Sequence, residues 1–308
     1  MRRAWRRLAG AVILAVVVWQ VGSASVVEGL RSLDVPVLLL GASIALVTTV
    51  ACAWRWHLVA RELGVQIAMP AAVASCYRAQ LLNTVLPGGV LGDVHRGVAH
   101  GRSTGETGRA LRAVGWERAA GQVVQAVVAV LVVGLLPSAV RPALTWVLAG
   151  LVVLAAVAVL AVRSARGDGW WGRLARTARD DVRLALLVRR SWPGVVVASL
   201  VALAGYVATY VVAARAVGVE ASVATLLPLV LVVLLAAGLP LNLAGWGPRE
   251  GMAAWAFAVA GLGAATGVAT AVAYGAMVLV ANLPGLVVVL ASGHRTTAPA
   301  TIEGRVRA

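Results

Sequence analysis

Leu86-Pro87-Gly88-Gly89-Val90-Leu91-Gly92-Asp93-Val94-His95-Arg96 interrupts an apolar stretch near the end of the first third of the chain. A second interruption, Pro240-Leu241-Asn242-Leu243-Ala244-Gly245-Trp246-Gly247-Pro248-Arg249-Glu250-Gly251, lies inside a longer apolar run. Glycine tolerates positive φ and proline withholds a helical donor, so both stretches predict turns rather than continuous helix. In a bilayer such backbone survives only where protein buries it or where it lines a cavity. Two breaks in corresponding places of two halves are the sequence pattern of a transport site.

Of the 308 residues 61% are hydrophobic and 13% charged, and the mean hydropathy is +0.90. A soluble domain cannot hide that much apolar surface, so the composition predicts an all-α polytopic membrane protein. The formal charge of +15 is carried by arginine alone, because the chain contains no lysine. That balance does not point to nucleic acid: the arginines cluster in segments flanking the apolar runs, where the positive-inside rule places them. Cys52 and Cys76 both fall in apolar segments and form no disulfide or metal spacing. His57, His95, His100 and His294 form no HExxH pattern and join no carboxylate cluster, so no metal or other cofactor is expected.

Apolar windows read against arginine clusters predict a topology. The first helix covers about 8–24; its basic start resembles a signal peptide but reads as an uncleaved membrane helix. Helix 36–54 returns inward to Arg55 and Arg61. The stretch 71–91 has arginines on both flanks, which a single span would violate and a re-entrant hairpin broken at Pro87-Gly88-Gly89 satisfies. Spans at 119–136 and 143–162 follow. The loop 163–192 predicts an interfacial amphipathic helix: Trp171, Leu174, Ala175, Ala178 and Val182 share one face, while Arg173, Arg176, Arg179 and Arg183 take the other. Asp180-Asp181 reads as balancing its charge. A span at 193–214, a hairpin at 222–262 and a span at 264–292 complete the chain.

This is about six full transmembrane helices plus two broken or re-entrant hairpins. The halves, about 1–136 and 143–294, carry opposite orientation, a possible inverted-topology repeat; eight full spans are the alternative. The tail 295–308 reads as disordered and cytoplasmic, and both termini are expected on the cytoplasmic side of the cell membrane.

Charged groups at the bilayer centre cost on the order of 2.5–3.5 kcal/mol on insertion scales, so those present call for a partner or a function. Arg78 stands with Gln80 and Asn83 in an apolar segment; it reads either as a phosphate ligand or as a snorkelling side chain. Asp93 and Arg96 are three apart and can pair if that stretch is helical. Glu117-Arg118, with Gln122 one turn on, begins the next span, where a structural pair and a lipid contact both fit. Arg249-Glu250 follow Gly245-Trp246-Gly247-Pro248, where a new helix would expose free N–H groups to an anion; a plain Arg249–Glu250 pair that ends the hairpin is the alternative. Asn242 and Asn282 suit interhelical hydrogen bonds. A search for nucleophile–base pairs, Walker loops or GxSxG finds none, so no catalytic residue is assigned.

The ordered set Asn83, Leu86-Pro87-Gly88-Gly89, Gly92-Asp93, Arg96, then Glu117-Arg118, then Pro240 and Gly245-Trp246-Gly247-Pro248-Arg249-Glu250 resembles the lysylphosphatidylglycerol synthase transmembrane region, a flippase-like family. The resemblance implies a membrane protein that moves modified phospholipids between leaflets. The residues it implies for the headgroup are Pro87, Gly88, Gly92, Asp93 and Arg96, the pair Glu117 and Arg118, and Gly245, Gly247, Arg249 and Glu250. The chain stops soon after its last helix, so the soluble synthase domain and its activity are not expected. The expected function is therefore a lipid flippase-like transporter for a phospholipid or lipid-linked anionic headgroup. The alternative is a membrane subunit or enzyme of glycolipid, aminoacyl-lipid or polyprenyl-phosphate biosynthesis, with Glu28, Asp34 or Asp93 essential. Membrane lipids are the expected partners, with a lipid-modifying synthase or glycosyltransferase as a further one.

Overall fold

The computed structural model describes residues 31–86, 89–136, 138–142, 160, 169–181, 191–238 and 248–294. Ten helices are defined among them: α1 Val35–Glu62, α2 Met69–Val85, α3 Leu91–Thr104, α4 Thr107–Leu135, α5 Trp170–Asp181, α6 Trp192–Ala216, α7 Val223–Ala237, α8 Pro248–Val259, α9 Ala264–Ala281 and α10 Pro284–His294. No strand is present among the described residues. Four of the ten, α1, α4, α6 and α9, are long and apolar enough to cross a membrane. The protein is a polytopic, all-α membrane protein. The expected spans 8–24 and 143–162 and the tail 295–308 lie outside the described residues.

The outer surface fits that reading. Val123, Val127, Leu131 and Leu135 recur every fourth residue along α4 and are exposed, as are Leu39, Leu46, Val287 and Leu290 on other helices. Such apolar stripes would be a liability in water and are the ordinary lipid face of a bundle.

Two helices, α1 and α7, begin on side-chain caps. Asp34 caps α1 by accepting from the Val37 amide at 2.9 Å, and a proline occupies its first turn. Asp34 is therefore engaged as a cap. Ser222 caps α7 in the same way, accepting from the Thr225 amide at 3.2 Å. Helix α1 continues to Glu62, eight residues beyond the expected end at 54, and this carries Arg55 into the bundle instead of to its edge.

Helices α2 and α3 form a hairpin that turns at the expected break, but its second limb, Leu91–Thr104, lies beyond the expected stretch 71–91. At about 1.5 Å per residue, α2 runs roughly 25 Å and α3 roughly 21 Å, each shorter than the roughly 20-residue helix a bilayer requires. Helix α2 stops at Val85; Leu86 is extended and Gly89 sits at φ +63°. Residues 87–88 lie outside the described residues. The limbs are antiparallel: the Gly92 amide donates to Asn83 Oδ1 at 2.8 Å, and Arg96 reaches Cys76. Both ends of this hairpin lie toward the end of α1 that carries Glu62: His57 bonds the Ile67 carbonyl just before α2, and His100 near the end of α3 meets the Trp56 ring edge-on at 5.7 Å. Ser191 at the start of α6 donates to Glu62 at the same end.

Helix α6 then runs antiparallel to α1, so α7 and α8 enter from the opposite side. They form the second hairpin, whose connection 239–247 lies outside the described residues. The final expected span, 264–292, is divided in two. Pro284 withholds an amide, the ladder stops at Asn282, and Asn282 donates to Thr84 of α2 at 3.3 Å. The break thus stands beside the end of the first hairpin's inbound limb. Helix α10 then packs back along α2, with Gly285 against the Tyr77 carbonyl.

Helix α5 falls inside the expected amphipathic segment. Asp181 is 4% exposed and accepts from Arg112 Nε at 2.7 Å and Trp116 Nε1 at 3.0 Å, which ties α5 to α4. Residues 161–168 and 182–190 of that loop lie outside the described residues.

The contact that closes the hairpin is testable. A Cβ on Gly92 would lie 2.0 Å from the Ala79 carbonyl oxygen, whereas one on Gly115 of α4 meets nothing within 4 Å. Gly92→Ala therefore lowers stability by about 1–3 kcal/mol through overpacking against backbone. Gly115→Ala raises it by up to about 1 kcal/mol through helix propensity. Apparent Tm in detergent reads both, and equal shifts of the same sign would contradict this packing.

Candidate functional site: a buried arginine cluster beside the first hairpin

Five helices line a half-open cavity of about 130 Å3. From α2 come Cys76, Ala79, Gln80 and Asn83, spaced to share one helical face; from α4 come Glu117, Arg118, Gly121, Gln122 and Gln125, again on one face. Helix α1 supplies Cys52 and Arg55, α3 supplies Asp93 and Arg96, and α6 supplies Ser199, Ala202, Leu203 and Tyr206. The opposite side of α4 carries the lipid-facing valines, so this helix separates a polar interior from an apolar exterior.

Glu117 is the centre. It is 2% exposed, and both its oxygens are taken. Oε1 accepts from Arg55 Nε at 2.8 Å and Nη2 at 2.5 Å; Oε2 accepts from Arg96 Nη2 at 2.5 Å. Arg96 also meets Asp93 Oδ1 at 2.9 Å, so the expected helical pair forms. It lies over the Trp56 ring with its guanidinium carbon 4.7 Å from the centroid, a cation–π contact that adds to the ionic ones. Asp93 Oδ2 meets Arg118 Nη1 at 2.9 Å and accepts from Asn83 Nδ2 at 2.5 Å. Arg55 further donates to Ser199 Oγ at 3.1 Å, which extends the cluster to α6.

The arginines differ in exposure. Arg55 and Arg96 are nearly enclosed, whereas the Arg118 side chain is 41% exposed. Gln125 Nε2 is buried and has no hydrogen-bond partner among the described residues. Together these give a polar pocket with enclosed ion pairs at its base and an available guanidinium at its edge.

The expected residues Asn83, Asp93, Arg96, Glu117, Arg118 and Gln122 converge here, with Gly92 closing the hairpin beneath them. Arg78 does not line the cavity; its Nε is buried without a hydrogen-bond partner among the described residues. Arg249 and Glu250 lie apart from the wall. Arg249 donates to Glu250 Oε1 at 2.8 and 2.5 Å and sits over the Tyr274 ring at 5.4 Å, which ties the start of α8 to α9. Pro87, Gly88, Asn242, Gly245 and Gly247 lie outside the described residues. Arg55 was not among the expected site residues. No glycine or proline falls between Gly41 and Gly64, so the sequence allows the helix to run past Arg55, but it does not by itself turn that arginine inward.

Fold and site together define a helical membrane protein that keeps a charged, polar pocket inside an apolar bundle. The chain belongs to the family of the lysylphosphatidylglycerol synthase TM region, whose model matches residues 5–285. No curated protein and no solved structure matches it. The family concerns lipid handling in membranes.

The cluster's energetics are asymmetric. Removing one partner from a buried ionic network leaves uncompensated charge and costs about 3–5 kcal/mol. An ion pair with an exposed member contributes about 0–1 kcal/mol. Glu117→Gln therefore destabilises strongly and Arg118→Gln little, as apparent Tm of the purified proteins would show. Comparable losses in the two variants would remove Glu117 from the centre of the cluster.

Proposed function

We propose that the protein moves an anionic phospholipid or lipid-linked headgroup between leaflets. The observation that carries this reading is the cavity itself: a polar, arginine-lined space beside the α2–α3 hairpin, inside a bundle whose outer face is apolar. A headgroup can shed water there against guanidinium and amide donors while its acyl chains stay in lipid. Arg118 is the guanidinium positioned to receive phosphate, since planar forked donors suit its oxygens. Arg55 and Arg96, neutralised by Glu117 and Asp93, hold the wall in place. The hairpins, with their helix breaks, supply elements that can shift against the four long helices.

Orientation follows from charge. The positive-inside rule puts the ends of the first hairpin, the start of α6 and the arginine-bearing α5 in the cytoplasm. The cavity would then be reached from the inner leaflet, and α5, held by Asp181, would rest on the anionic headgroups there. The two hairpins entering from opposite sides support an inverted repeat in the cell membrane.

The test is translocation of fluorescent phosphatidylglycerol in proteoliposomes, read by quenching of headgroup label in the outer leaflet. Wild-type protein accelerates movement, and Arg118→Gln slows it at least about tenfold at unchanged Tm, the loss of roughly one charge-assisted hydrogen bond. Equal rates with wild-type protein, Arg118→Gln and empty liposomes would refute transport.

A further inference from the structure

The first hairpin has a second polar face, turned away from the cavity. At about 100° per residue, Arg78 stands roughly 160–200° around α2 from the cavity-lining Cys76 and Gln80, on the back of the helix. On α3, Gly92 packs on α2, Asp93 and Arg96 line the cavity, and Gly97 meets Leu111 of α4. His95 and Arg102 share the remaining side of α3 and are exposed. Arg96 meets Cys76 across the antiparallel limbs, so His95 stands level with Arg78. The charges of Arg78 and Arg102 both act on the His95 ring. Helical Cα–Cβ bonds tilt toward the N-terminus, so Arg78 leans to the base of the hairpin and Arg102 to its tip. The three basic side chains converge on one groove.

That groove carries no acid among the described residues. Helix α2 has none, and α10, which packs along α2, adds none. The one acid of α3 is Asp93, which is engaged on the cavity side by Arg96, Arg118 and Asn83. Arg78 Nε is buried without a hydrogen-bond partner among the described residues, and burial alone acts on its charge. A guanidinium set into an apolar membrane segment calls for an anion. Lipid supplies one here. Basic pockets between membrane helices on the cytoplasmic side are headgroup sites, and a guanidinium fork suits phosphate oxygens. About one turn nearer the tip, Leu82 is half-buried and Leu91 is 46% exposed, an apolar surface for acyl chains.

We infer that the groove formed by Arg78, His95 and Arg102 is a second lipid site, separate from the cavity. It holds the phosphate of an anionic phospholipid whose acyl chains run over Leu82 and Leu91 toward the tip. The occupant stays outside the bundle and braces the hairpin from behind. Its assignment to the inner leaflet rests on the orientation proposed above; the site itself does not require transport.

Photocrosslinking in nanodiscs of equimolar phosphatidylglycerol and phosphatidylcholine tests this, using full-length Leu91→p-benzoylphenylalanine. Val127→p-benzoylphenylalanine, on the exposed lipid face of α4, is the control. Mass spectrometry reads which lipid is attached. Phosphatidylglycerol should be enriched at position 91 over position 127 by at least about fivefold, the effect of roughly one basic residue near a headgroup. Combined Arg78→Gln, His95→Gln and Arg102→Gln should return the ratio to that of position 127, while Arg118→Gln leaves it unchanged. Equal ratios at the two positions, or no lipid attached at 91, overturn the inference. Enrichment that survives in the folded triple variant overturns it as well, and enrichment lost with Arg118→Gln alone assigns the lipid to the cavity. Enrichment abolished by millimolar inorganic phosphate, but not by sodium chloride of equal ionic strength, overturns the lipid source. The comparison of positions 91 and 127 decides even if the triple variant does not fold. Enrichment in a protein that moves no lipid would refute transport and leave this site standing; translocation without enrichment would do the reverse.

Discussion

Glu117 accepts from two arginines on two other helices, and much of the first half of the molecule depends on that bridge. A carboxylate with 2% exposure inside an apolar bundle is tolerable only when both oxygens are engaged. Arg55 approaches from α1, Arg96 from α3, and Glu117 itself from α4. The bridge therefore dictates that the first hairpin lie between α1 and α4 with Asp93 and Asn83 close by. Trp56 fits the same constraint by placing its ring beneath Arg96. Buried ion pairs are seldom the most stable way to fill such a space, since a well-packed apolar core of equal volume does as well or better. Their presence at a cavity wall is instead consistent with a binding task.

The hairpin is what makes the cavity possible. A continuous helix at 69–104 would carry Asn83, Asp93 and Arg96 to different depths, roughly 20 Å apart at 1.5 Å per residue. Folding back between Val85 and Leu91 brings them within hydrogen-bond distance of one another. Close approach of the limbs at Gly92 and Ala79 then fixes their register. The break at Asn282 stands on the other side of α2, bonded to Thr84, so the inbound limb is held by breaks in two neighbouring segments.

Much of this was legible in the sequence because proline, glycine and charge act locally. The turn at Leu86-Pro87-Gly88-Gly89 needed only backbone chemistry, and the Asp93–Arg96 pair only helical spacing. The arginines on both flanks were a mixed signal, since Arg55, Arg96 and Arg118 among them line the cavity. What failed to show depended on tertiary burial. Arg55 satisfies the positive-inside rule as well as it satisfies Glu117, and its sequence neighbourhood does not separate the two. Only the continuation of α1 to Glu62 does so. Similarly, Pro284 lies in so apolar a run that 264–292 reads as one span, although the missing amide divides it. Arg249 and Glu250 stand beside each other in sequence and pair with each other in space, which no spacing rule would distinguish from a pair facing the cavity.

The proposed role gives the Glu117-centred cluster a phosphodiester to hold between the first hairpin and α4. An electron cryomicroscopy structure in nanodiscs of phosphatidylglycerol tests it most directly. Headgroup density is expected inside the cavity, with phosphate oxygens within hydrogen-bond reach of Arg118 and Gln125 and the Glu117 bridge intact. A cavity holding water alone, with every ordered headgroup confined to the outer surface of the bundle, would contradict it.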